Sequence, residues 1–146
     1  MIQRIQSLWL LLASACAFLT MKFPFYTGHL KTAVAAPAGI ASVNTPLAAV
    51  DSIPIVTLTV ASAICALITI FLFKDRKLQM RLTAANLVIS IIIVALYFLN
   101  MKENYTDMGL PLITCVFTFA VPVFLLLALR GMYRDQRLVK SMDRLR

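Results

Sequence analysis

Four long apolar stretches, joined by shorter polar connections, dominate the sequence and decide its fold class. Crossing the hydrocarbon layer of a bilayer, about 30 Å thick, takes about 20 mostly apolar residues at a helical rise of about 1.5 Å each. Residues 53–73 and 110–129 meet this requirement with no ionisable side chain apart from the thiols of Cys65 and Cys115. Residues 82–101 meet it with Asn86, Ser90 and Asn100 as their main polar groups. Residues 5–25 are strongly apolar from Leu8 to Met21. Phe23, Phe25 and Tyr26 then supply an aromatic belt, and Lys22 is placed to snorkel outward. In lipid every backbone donor and acceptor must be paired within the segment, so these runs span as helices. A β-barrel would need alternating segments of about ten residues, and these are continuous. The expected fold is all-α: an integral membrane four-helix bundle, a single domain over residues 1–146, with a short cytoplasmic C-terminal helix.

Composition points the same way. Hydrophobic residues make up 61% and charged residues 14%, with a mean hydropathy of +0.88, against about 45–50% and 25% in an ordinary soluble domain. Such a chain cannot cover its surface with polar groups. A soluble enzyme, a disordered tail and a disulfide-stapled module are excluded. Helix punctuation fits the spans: Ser52 is placed to cap the second helix with Pro54 in its first turn, and Gly109 precedes the fourth with Pro111 in its first turn.

The net charge of +8 is distributed unevenly. One set of connections and ends holds Arg4, Lys74, Arg76, Lys77, Arg81 and the six bases from Arg130 to Arg146, against Asp75, Asp135 and Asp143. The other set holds Lys22, Lys31 and Lys102 against Asp51, Glu103 and Asp107, which balance. Short loops rich in Lys and Arg stay cytoplasmic, so both termini are expected in the cytoplasm. A pI near 9.9 also raises nucleic acid. The bases lie close to the bilayer without a nucleic-acid motif, so anionic headgroups are their expected partners and no nucleic acid is expected.

Residues 1–16 also carry the outline of a signal peptide, and Ala13-Ser14-Ala15-Cys16 approximates a lipoprotein processing site. The single Arg, the small Ala13 and apolar character continuing to Met21 favour retention as a first span. The external loop, residues 26–52, is interrupted by Pro37, Gly39 and Pro46, with short extended segments expected at residues 28–34 and 40–43. The second external connection, residues 102–109, is short, which makes helices three and four antiparallel neighbours.

The cytoplasmic tail, residues 130–146, reads as a helix continuing from the fourth span. Arg130, Arg134, Arg137 and Arg144 share one face with Lys140 alongside, and Leu138, Met142 and Leu145 form an adjacent apolar strip. Such a helix suits contact with lipid headgroups or a partner. The plainer alternative is a solvated helix end that only fixes topology.

Intramembrane chemistry usually shows as ionisable residues inside spans, and no Asp, Glu, His, Lys or Arg lies in the middle of any run. His29 has no second ligand at metal spacing, and no phosphate loop or nucleophile elbow occurs. No catalytic, cofactor or metal residues are assigned. Cys16, Cys65 and Cys115 lie one each in three spans and read as small apolar residues. Asn86 and Ser90 share a face of helix three, and Thr114 and Thr118 share one of helix four. Pro122 frees the Thr118 carbonyl, which is expected to kink that helix. These five are candidates for helix packing by interhelical hydrogen bonds or, alternatively, for a hinge or polar path.

The opening, Met1-Ile2-Gln3-Arg4-Ile5-Gln6 before an apolar run, resembles the start of an uncharacterised family of small four-span membrane proteins from Bacteroidota. The close, Arg134-Asp135-x-x-Leu138-Val139-x-Ser141-x-Asp143-Arg144-Leu145-Arg146, resembles that family's C-terminal signature. The resemblance covers the chain end to end, with the tail its specific part. It implies an inner-membrane four-helix protein, a retained Met1 and a tail that serves as a contact surface; no functional site carries over. The leading expectation is a non-enzymatic structural or accessory subunit that packs with a membrane-protein partner or as a homo-oligomer. The alternatives are a small transporter or channel and, behind it, a lipid- or quinone-linked enzyme.

Overall fold

The computed structural model describes residues 2–29, 44–47, 52–72, 75–104, 110–111 and 113–143. Four helices carry the fold: α1 (Ile2–Lys22), α2 (Ile53–Phe71), α3 (Arg76–Asn104) and α4 (Ile113–Asp143). All four are long and apolar enough to cross a membrane. Each packs on its neighbour in sequence and α4 closes against α1, which makes a ring of four. Three short strands, β1 (Tyr26–His29), β2 (Asn44–Leu47) and β3 (Leu110–Pro111), form an antiparallel sheet in the order β2-β1-β3. The sheet ties the exit of α1 to the approaches of α2 and α4, so the helices alternate in direction.

Local chemistry accounts for the departures from expectation. Pro111 is not in the first turn of α4; it pairs with Tyr26 in β3, and the helix starts at Ile113. Proline lacks an N–H to donate, so within sheets it belongs on edges, and both Pro46 and Pro111 lie in the outer strands. The extended segments are shifted from those expected: β1 begins at Tyr26 and β2 at Asn44, while residues 30–43 lie outside the described residues. Ser52 precedes α2 without a side-chain cap, although its carbonyl accepts from Val56 N–H at 3.0 Å. Its hydroxyl instead donates to Asn100 Oδ1 at 3.2 Å, which joins the start of α2 to the end of α3. The tail continues from the fourth span as expected, but it is not a short helix of its own: α4 runs as one helix from Ile113 to Asp143, unbroken at Pro122. The run Leu125–Asp143 contains no further proline and a single glycine, so nothing in it ends a helix.

The core follows from residue size. Ala13 and Ala17 on α1, Ala63 on α2 and Ala128 on α4 are buried together with Leu10, Val121 and Leu125. Small side chains let helix backbones approach closely, which is how helices pack where lipid supplies no hydrophobic drive. Gly131 shows the same need: a Cβ there would lie 3.1 Å from Gln6 Cγ of α1. Trp9 stacks on Phe124 at 5.7 Å, and near the sheet Phe25 stacks on Tyr97 at 4.4 Å.

Many of the large apolar residues face outward. Ile53 is 80% exposed, Val116 65% and Leu99 56%, with Ile64, Val88, Ile91, Val123 and Leu126 also exposed. A surface of this kind needs an apolar surrounding. Overpacking the buried Ala63 with Leu is therefore expected to cost about 1–3 kcal/mol, while Ile64→Leu on the exposed face stays within about 0.5 kcal/mol. Thermal unfolding in one detergent checks the pair; equal losses would contradict the inward assignment of Ala63.

Candidate functional site

Among the described residues, two places combine polar side chains with accessible or enclosed space. The first is the interior. Buried polar positions recur at spacings of three, four or seven residues: Thr59, Ser62 and Thr69 on α2, Gln79, Thr83, Asn86 and Ser90 on α3, and Thr114 and Thr118 on α4. This spacing places each set on one helix face. In helices otherwise made of large apolar residues, the narrow polar stripe is the side turned inward, away from hydrocarbon.

The hydroxyls largely satisfy themselves. Thr20 donates to Ala17 O at 2.7 Å, Thr59 to Ile55 O at 2.7 Å, Ser90 to Leu87 O at 2.7 Å and Thr118 to Thr114 O at 3.0 Å. Bonds of this kind cost a helix little and need no neighbour. Amides make the crossings: Asn86 Nδ2 donates to Ser62 O of α2 at 3.1 Å, and Gln79 Nε2 to Thr69 O at 3.2 Å. Asn86 Oδ1 and the Thr114 hydroxyl are buried without a partner.

Ser90 and Thr118 come together with Thr20, Thr59 and Ser62 around a cavity of about 10 Å³, to which all four helices contribute. That is room for about one water molecule. Asn86 and Thr114 are buried but do not line it. Pro122 sits half-buried one turn beyond Thr118, inside α4. Thr20, Thr59 and Ser62 were not singled out from the sequence. For Thr59 and Ser62 the signal was the spacing of small polar residues in α2, which is easily read as packing.

The second place is the basic end. Arg76 at the start of α3 bonds Asp135 of α4 at 2.9 Å. Beneath this pair Gln6, Gln79 and Gln136 surround a cavity of about 10 Å³, and Gln6 Nε2 is buried without a partner. On the outer side of α4, Arg130, Tyr133, Arg134 and Arg137 line a shallow basin of about 570 Å³. Leu138 is exposed beside it. The Lys140 and Met142 side chains, and Arg144 and Leu145 entirely, lie outside the described residues.

A bundle with lipid-suited outer faces and an uncharged polar interior defines a multi-pass membrane protein. Over residues 2–145 the chain matches the family described as a domain of unknown function (DUF4293), and it belongs to that family. No curated protein and no solved structure matches it.

The interior is expected to tolerate lost hydroxyls better than added charge. Thr118→Val removes a bond made within its own helix and is expected to change stability by less than about 0.5 kcal/mol. Asn86→Asp places a carboxylate among neutral groups and is expected to cost about 2.5–3.5 kcal/mol. Unfolding of both variants in lipid nanodiscs checks this; an Asn86→Asp variant as stable as Thr118→Val would mean that water or a cation reaches the interior.

Proposed function

We propose that the protein is a non-enzymatic structural or accessory subunit of the bacterial inner membrane, with both termini in the cytoplasm. Its helices pack with a partner or with copies of itself, and its basic end meets the cytoplasmic headgroup layer. The observation that carries this reading is the treatment of interior polarity. The hydroxyls of Thr20, Thr59, Ser90 and Thr118 are turned onto their own helix carbonyls, around a space of about 10 Å³. General acid–base chemistry needs titratable groups positioned at a reacting bond, and the middle of each span supplies none of the charged types or histidine. Transport needs a path, and one water's volume between tight helices gives this reading the advantage over it. Recognition is then left to the outer faces and the arginine-rich end.

The sided charge supports the threading. Arg76, Lys77, Arg81, Arg130, Arg134 and Arg137 lie towards the end joined by the Arg76–Asp135 pair, and Lys22 and Lys102 towards the end that carries the sheet. Positive loops resist translocation, which makes the first end cytoplasmic. Gentle solubilisation of native membranes, followed by sizing and identification of co-purifying chains, tests the role. A stoichiometric membrane partner or a discrete homo-oligomer is expected; a lone monomer of full stability would overturn it.

A further inference from the structure

The outward stripe of α4 changes character within one turn. Val123, Leu126 and Leu127 present exposed apolar side chains. The arginine basin of Arg130, Tyr133, Arg134 and Arg137 follows on the same side of the helix. Guanidiniums three and four residues apart on a helix repel one another, and among the described residues no carboxylate answers these three. Asp135, which lies among them in sequence, is bonded to Arg76. A counter-anion from outside the described residues would stabilise this turn of α4.

Its position and length say which anion. Arg130 follows directly on the lipid-facing residues, so the basin lies at headgroup depth, where an exposed Tyr133 is also at home. Arg130 to Arg137 spans about 10 Å along the axis, more than one phosphate bridges. The adjacent pairs Arg130/Arg134 and Arg134/Arg137 each suit one phosphate, because the planar guanidinium fork matches phosphate oxygens. An acidic protein segment would engage the arginines but leave the apolar half of the stripe unused. We propose that this stripe is a discrete site for one anionic phospholipid bearing two phosphates, with acyl chains along Val123, Leu126 and Leu127 and both phosphates in the arginine basin. The site rests on the reading of α4 as a span with Arg130 at its margin, and not on which face of the membrane that margin meets.

Native mass spectrometry of the full chain in mild detergent, with diphosphatidylglycerol or phosphatidylglycerol added, tests the site. Diphosphatidylglycerol is expected to be retained preferentially, and Arg130→Gln/Arg134→Gln/Arg137→Gln to weaken it by about tenfold or more. The equal-charge variant Lys74→Gln/Lys77→Gln/Arg81→Gln, around the α2–α3 connection, is expected to hold it normally. Equal weakening in both variants, or retention of phosphatidylglycerol as strong at matched phosphate, would overturn the proposal; so would a protein partner competing the lipid away. Circular dichroism confirms that each variant keeps its helices. Alkaline extraction of membranes reads the spanning claim separately: a chain released by it fails there, whatever lipid it holds.

Discussion

Hydrocarbon does not accept an unpaired charge or an unpaired backbone group, and every feature of this bundle is a response to that refusal. Charged side chains are expelled to the helix ends, where water or headgroups meet them. The backbone closes its bonds within helices. Inside, the polar groups are amides and hydroxyls, and most hydroxyls turn back to a carbonyl one turn away. Asn86 and Gln79 make the exceptions that hold one helix to another.

This constraint also explains why the molecule is assembled with its small residues inside. In water, large apolar side chains gain by burial; in lipid they lose nothing by staying outside, and helices gain by close backbone contact instead. Ala13, Ala17, Ala63 and Ala128 fill the centre, while Ile53, Val88 and Val116 face outward. Aromatic residues bridge the change of surroundings at the sheet end, where Phe25 stacks on Tyr97 and packs edge-on against Phe98. At the opposite end the Arg76–Asp135 pair links α3 to α4. Such an exposed pair adds little stability by itself, but it takes up Asp135, the acid nearest the arginines of α4.

The four helices were legible because a span needs length and hydropathy and little else. The arginine spacing on α4 was legible for a related reason: a long uninterrupted helix turns sequence period directly into a face. Pro111 was misread, and the side-chain partner of Ser52 at the N-cap of α2 was missed, because the sequence shows only local propensity. A proline near a helix start and a serine before it fit helix punctuation well, yet pairing with Tyr26 and bonding to Asn100 depended on chain segments far away. The hydroxyl cluster lay between these cases. Ser90 and Thr118 stood out as polar in apolar surroundings, whereas Thr20, Thr59 and Ser62 joined them only once four helices were placed side by side. Function was least legible, since the proposed packing and recognition would leave no short motif of the kind that catalysis demands.

In the proposed threading the cation-rich end faces the cytoplasm and fixes how the uncharged helices insert. The direct measurement is single-cysteine labelling in a background where Cys16, Cys65 and Cys115 are serine. Ser141→Cys, exposed on the last turn of α4, and Lys102→Cys, exposed at the other end, are treated with a membrane-impermeant maleimide in intact spheroplasts and after lysis. The account predicts that Lys102→Cys reacts before lysis and Ser141→Cys only after it. Reaction of Ser141→Cys in intact spheroplasts would contradict the threading.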